Sequence, residues 1–211
     1  KDIPISPSTT VIGEETFCGC SSLENFVISS SITSIGKKSF AECSSLKQIT
    51  ISSSVKSIGC YSFYQCSSLE EIIIPPSVLC IEGSAFSECI SLKKIELPSS
   101  ITNIEPYAFY KCSSLEKVKI PSSITQISEN LFKECTSLAQ VTLESPSSIK
   151  LILSFAFERC SSLKEIDIPS SVMEIQNYAF SDCSSMKEIK IPTATLISTN
   201  AFDTNTKIIR I

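Results

Sequence analysis

Histidine and tryptophan are absent from this 211-residue chain, and there are only five glycines. Without histidine there can be no Ser-His or Cys-His catalytic pair, and the commonest zinc ligand is missing. So few glycines leave no Gly-rich loop to cradle a phosphate. No Asn-x-Ser/Thr acceptor for N-glycosylation occurs. No apolar run approaches the roughly 18 residues of a membrane span, and Lys1-Asp2-Ile3-Pro4 lacks the apolar core of a signal peptide. A net charge of −4 gives no electrostatic case for nucleic acid, which demands clustered Lys and Arg.

What is present is repetition. Phe-x-x-Cys recurs as Phe17/Cys20, Phe40/Cys43, Phe63/Cys66, Phe86/Cys89, Phe109/Cys112, Phe132/Cys135, Phe157/Cys160 and Phe180/Cys183. A ninth Phe, Phe202, is followed by Asn205 where Cys would fall, and successive Phe spacings are 23, 23, 23, 23, 23, 25, 23 and 22 residues. Three residues after each Cys stands Leu or, once, Met186; an apolar residue follows three later, and another two beyond that, as in Leu92, Ile95 and Leu97. Ser or Pro then turns the chain, and an apolar pair such as Ile32/Ile35 or Ile101/Ile104 leads to the next Phe. Repeats at such a period imply a solenoid, because one unit cannot bury its apolar face alone and stacking buries them all.

The change of period inside the unit predicts its local structure. Leu-x-x-Ile-x-Ile ends in alternation, the mark of a short strand with one buried face. Pro directly after it, as at Pro75, Pro98 and Pro121, cannot donate to a ladder and stops the strand. The mixed three- and four-residue spacing from Ile35 to Cys43 predicts a short helical turn on the opposite side. The expected fold is an α/β repeat solenoid spanning 1–211 as a single domain, with about nine repeats of 22–25 residues. One short strand per repeat would build one parallel sheet, and eight or nine strands spaced about 4.8 Å apart make a rod on the order of 40 Å long. The chain begins in mid-pattern, which suggests a piece of a longer protein. A two-residue insertion near Glu144 to Ser148 should bulge at a strand exit, and the polar last unit, with Asp203, Thr204 and Asn205, suits a cap. No N-terminal cap is evident, and an open sheet edge at Ile3-Pro4-Ile5 would invite pairing or fraying.

Ile95 to Leu115 carries nearly verbatim the pattern Ile-x-Leu-Pro-x-Ser-Ile-x-x-Ile-x-x-x-Ala-Phe-x-x-Cys-Ser-Ser-Leu, which resembles the BspA-type leucine-rich repeat. The resemblance covers essentially the whole chain. It implies a microbial or protozoan surface protein that adheres to host cells, matrix proteins or other microbes, and it brings no catalytic residues and no cofactor.

Eleven cysteines could frame disulfides. Eight of them occupy one repeat position, though, where stacking sets them in an inward ladder of parallel Cβ vectors poorly placed for a bridge. Small apolar thiols pack well there. Cys18, Cys60 and Cys80 lie off the ladder and are the candidates for reactivity. Paired carboxylates such as Glu14/Glu15 and Glu70/Glu71 fall on solvent positions, so nothing points to an enzyme or a metal site.

Two exposed arrays are the candidates for binding a partner, which would be a protein. The central strand column reads Val27, Thr50, Ile73, Glu96, Lys119, Thr142, Asp167, Lys190, with its apolar members in the N-terminal half. Tyr61, Tyr107, Phe155 and Tyr178 share the position two before the repeat Phe, and Tyr64 and Tyr110 the one after it; they suit an interface or the cover of a core edge equally. A neighbouring column, Glu24, Lys47, Glu70, Lys93, Glu116, alternates in sign and reads as cross-strand pairing. The expected function is a non-catalytic protein-binding module, displayed at the cell surface or secreted for adhesion and recognition. The alternative is a cytoplasmic interaction scaffold, which free thiols and absent glycosylation acceptors suit as well.

Overall fold

The computed structural model describes residues 5–211. Ile3 and Pro4, the start of the expected open edge, lie outside these residues. Each repeat forms one turn of a stacked rod, with two parallel ladders where the sequence predicts one sheet. The strands Asn25–Val27, Gln48–Thr50, Glu71–Ile73, Lys94–Glu96, Lys117–Ile120, Gln140–Leu143, Glu188–Ile191 and Lys207–Arg210 run along one side. They follow the Leu-x-x-Ile-x-Ile segments, and Ile72 pairs with Ile95 as Val118 pairs with Val141. Two-residue strands form the second ladder in two hydrogen-bonded runs, from Val11–Ile12, Ser34–Ile35 and Ser57–Ile58 to Asn103–Ile104, and from Gln126–Ile127 to Leu196–Ile197. Its buried rungs, Ile35, Ile58, Ile81 and Ile104 among them, are the apolar residues read from the sequence as merely leading back to Phe. Two residues are too few to display an alternation, so this ladder left no periodic signal.

No helix occurs among the described residues, which overturns the expected helical turns. The reason is geometric. An α-helix is about 10 Å across, whereas the Phe rings of successive rungs stand only 5.0–5.5 Å apart. The segment instead folds as tight turns with two residues per rung at positive φ, two before and two after the Phe, for example Lys38 (52°) and Glu42 (61°) around Phe40. Its amide donors alternate. Those of Ser39, Ala41 and Cys43 close three-residue turns onto Gly36, Lys38 and Phe40, while those of Lys38, Phe40 and Glu42 reach the carbonyls of Cys60, Ser62 and Tyr64 in the next rung. The mixed spacing thus reflects three core-facing residues on a compact zigzag, held to its neighbour by hydrogen bonds a helix would have kept for itself.

The core between the three sides is continuous. Nine Phe rings, Phe17 to Phe202, stack with interplanar angles of 20° or less. Beside them runs the cysteine ladder, and it has a second role besides packing. From Cys43 to Cys183 each thiol donates, over 3.1–3.2 Å, to the carbonyl of the Phe one rung back. That buried carbonyl already accepts the amide of its own repeat's Cys, so the thiol fills its second lone pair. Burial pushes these thiols up, to about 12 at Cys43 and Cys183, which leaves them protonated donors. All eleven cysteines are free thiols, with Cys20 half-buried and Cys18 exposed.

The position just before the Phe is held by Ala85, Ala108, Ala156 and Ala179, all fully buried, and by Ser39 and Ser62, equally buried. The hydroxyls of those two serines find no partner among the described residues. Replacing a lone buried hydroxyl by the methyl that other rungs carry removes an uncompensated desolvation. Ser62→Ala should therefore raise stability by about 1 kcal/mol in urea unfolding; a fall of similar size would show that the hydroxyl is satisfied after all.

The irregular units behave as their sequences imply. Glu144 still donates its amide to Ile120, Pro146 stands exposed after a cis Ser145-Pro146 bond, and Ile149 returns to the core. The two extra residues are spent in that loop, and Phe132 and Phe157 still stack at 5.5 Å. At the other end, Asp203 accepts the Asp182 amide through Oδ1 at 2.8 Å, where interior rungs use a backbone carbonyl. Arg210 covers the carbonyls of Pro192 and Thr195 at 3.1 and 2.8 Å.

Candidate functional site

Because strand residues alternate, the residues between the buried isoleucines of the long-strand side stand outward as columns. Val27 is 70% exposed and Ile73 60%, and Thr50, Glu96 and Lys119 are also exposed. Val27 and Thr50 sit side by side in register. Between Gln48–Thr50 and Glu71–Ile73 the hydrogen-bonded sheet parts, so that the side consists of separate sheets. A shallow groove of about 330 Å³ opens there, lined by Gln48, Thr50, Glu71, Ile73 and Pro75 with the edges of Ile49 and Ile51. The parting was invisible in the sequence, because Ile49 and Ile72 keep the same pattern as every other rung. A second interruption falls at residues 165–168, which form no strand.

Charge accumulates beyond this groove. Lys94 pairs with Glu71 at 3.5 Å and with Glu96 at 2.7 Å, and Lys119 pairs with Glu144 at 2.6 Å. Lys94, Glu96, Lys119 and Glu144, with Lys117, Gln140 and Thr142, line a second groove of about 450 Å³. Hydrogen bonding to Lys119 holds the Glu144 carboxyl below the usual range, and the Ser122 amide adds to it at 3.2 Å. The alternating column pairs off as Glu24–Lys47 at 3.1 Å and Glu70–Lys93 at 2.8 Å. The sheet parts between those two pairs. The pairs are well exposed and screened by water, so they order the face more than they stabilise the fold.

The tyrosines lie on the turn side and do not line either groove. Tyr61, Tyr107 and Tyr178 are 37%, 42% and 39% exposed. Each is at positive φ, between 56° and 61°. Tyr61 meets Tyr64 edge to face at 5.7 Å, and Tyr107 meets Tyr110 likewise at 5.8 Å. The eight candidate residues therefore divide between two faces. Sequence reasoning passed over further exposed apolar residues, Leu79 and Met173 among them. They stand in a column that also holds Thr10, Thr33, Lys56, Thr102, Thr125 and Lys150, so the signal was there.

No group of three or more Cys, Asp or Glu side chains suited to a metal ion occurs among the described residues, and no helix there is long and apolar enough to cross a membrane. Burial raises the off-ladder thiols Cys18, Cys60 and Cys80 above their ordinary range, with Glu82 and Glu105 adding to the effect at Cys60, which works against thiolate chemistry.

Among solved structures, a leucine-rich repeat protein of T. pallidum is 29% identical, with a TM-score of 0.69 over 74% of this chain and 72% of that one. A leucine rich cell surface protein from Faecalibacterium prausnitzii is 23% identical, with a TM-score of 0.51 over 95% and 83% of the two chains. The pneumococcal vaccine antigen PcpA is 20% identical, with a TM-score of 0.51 over 96% and 71%. The last two likenesses concern the fold alone. A comparison with curated proteins finds none that matches. The family described as "BspA type Leucine rich repeat region" matches in six copies, over residues 1–116 and 80–209. With the repeat, the two ladders and these matches in agreement, the chain belongs to the BspA-type leucine-rich repeat family.

Proposed function

We infer that this chain is a non-catalytic protein-binding module that recognises host or microbial macromolecules from the cell surface. The observation that carries this reading is the apolar exposure of Val27 and Ile73 around Thr50, at the end of the strand face where the central column carries no charge. Apolar area gathered beside a groove on a rigid lattice is what a partner can cover with little loss of entropy. The naming of one structural neighbour as a cell surface protein and another as a vaccine antigen favours display outside the cell.

Eleven free thiols favour a second reading, an intracellular scaffold using the same face, since reduced cysteines persist in the cytosol. Antibody labelling of intact, unpermeabilised source cells separates the two. Signal without permeabilisation supports surface display; signal only after permeabilisation leaves the scaffold. Within either reading, Ile73→Glu should leave the melting curve unchanged and weaken the partner about tenfold, measured by surface plasmon resonance. Unaltered affinity would remove the strand face from the interface.

A further inference from the structure

The turn side carries an aromatic pattern that the core does not require. At the Phe63 rung Tyr61 and Tyr64 form an edge-to-face pair, and the same pair recurs at the Phe109 rung as Tyr107 and Tyr110, with nearly the same geometry (5.7 Å and 85°, against 5.8 Å and 87°). The rung between them holds Ser84 and Ser87 at the same two positions, both buried. The next rung beyond Phe109 holds Asn130, also buried, with Lys133, whose ammonium lies 5.0 Å over the ring of Phe155 in the rung after it, and Phe155 stacks at 5.1 Å on Tyr178 of the Phe180 rung. From the Phe63 rung to the Phe157 rung large rings therefore stand at every second rung, and Tyr178 adds one at the adjacent Phe180 rung. By the inter-strand spacing, the platforms recur about every 10 Å.

Beside the first platform lies a groove of about 400 Å³ lined by Glu42, Gln65 and Glu88 with two serines and Ile90. Gln65 donates to Glu88 at 2.8 Å. Burial, then the nearby Glu88 and Glu42 carboxylates, push the Tyr64 phenol up. Ring faces with planar amide and carboxylate groups along one edge form a pairing suited to a sugar. The polarised C–H face of a pyranose rests on the negative face of an aromatic ring, and carboxylates or amides take its hydroxyls two at a time.

We propose that this side binds an extended β-1,4-linked glycan lying along the rod axis. In such a chain each sugar advances by close to one rung spacing, and successive sugars are flipped, so the same face returns at every second residue. The two equivalent tyrosine pairs, at the Phe63 and Phe109 rungs, meet that repeat. An α-1,4-linked chain coils away from a straight row of platforms. The inference uses a different face from the protein-binding reading and does not rest on it.

The test is titration calorimetry with cellohexaose and chitohexaose, the corresponding disaccharides, and maltohexaose. At least one β-linked hexasaccharide should bind about tenfold or more tightly than its disaccharide, since it engages successive platforms at once, and maltohexaose should not bind. Tyr107→Asn places at this positive-φ position the residue that Asn130 already supplies at φ 55°, so the fold is kept, as circular dichroism will verify. It should weaken the hexasaccharide about tenfold. Tyr107→Phe should retain binding, as should Ile73→Glu. Failure of both β-linked hexasaccharides to bind, or unchanged affinity in Tyr107→Asn, would overturn the proposal. So would capture of a protein that Tyr107→Asn abolishes while neither glycan binds.

Discussion

Phe109→Ala should unfold the rod from its middle, at a loss of about 3–5 kcal/mol. Phe109 is fully buried and stacked on both sides, against Phe86 and Phe132 at 5.5 Å each. Truncation removes both contacts and leaves a cavity that the rungs cannot close, because their separation is fixed by backbone hydrogen bonds on every side. Each rung touches only its neighbours, so the damage also divides the stack into two shorter arrays. Urea unfolding should show a lower midpoint together with a shallower or biphasic transition, since the halves no longer unfold as one unit. A curve like that of the parent chain would mean that Phe109 is not a core rung.

Gly59→Ala should destabilise by about 1–3 kcal/mol, through crowding and without any change of exposed surface. A Cβ at Gly59 would lie 2.7 Å from the Ile35 carbonyl oxygen and 2.8 Å from the Gly36 carbonyl carbon, both of them backbone atoms. Gly36 meets the same obstacle at the Ile12 carbonyl, 2.6 Å away. Backbone atoms can give way only if the rung tilts, which strains the two ladders on either side. Gly83→Ala is the control, because its added Cβ would meet nothing nearer than 3.5 Å. Gly83 lies one rung on and one residue further along the turn, and the chemical change is the same, so equal melting temperatures would refute the close-approach argument. From Glu82 onward this column carries side chains, which confines the constraint to the first rungs.

The sequence makes the repeat, the strand segments, the Phe spine and the inward cysteines legible, because each depends on a side chain that recurs. It hides what depends on the backbone. The short ladder of Ser34–Ile35 and its counterparts has no room to alternate. The turns at Lys38, Glu42 and Gln65 place charged and amide side chains at positive φ where glycine would be the usual sign. Only Gly19 carries that sign. Of the candidate site, the exposure of Val27 and Ile73 follows from alternation alone. The groove between Thr50 and Ile73 does not, since it arises from a missing set of hydrogen bonds between rungs of identical pattern.

The zigzag on the turn side gives the rod a direction. In rung after rung the amides of the residues two before, at and two after the Phe point toward the C-terminal neighbour, as Lys38, Phe40 and Glu42 do, and the carbonyls that receive them point back. These dipoles add along the axis as they do in a helix, whereas strand amides alternate and largely cancel. One edge of the molecule thus bears partial positive charge at its C-terminal end and partial negative charge at its N-terminal end. The Asp203 carboxylate on the Asp182 amide stands at the positive pole and partly neutralises it. Two such rods set end to end attract when they run head to tail and repel when like ends meet, so polarity of assembly is written into the backbone before any side chain is chosen.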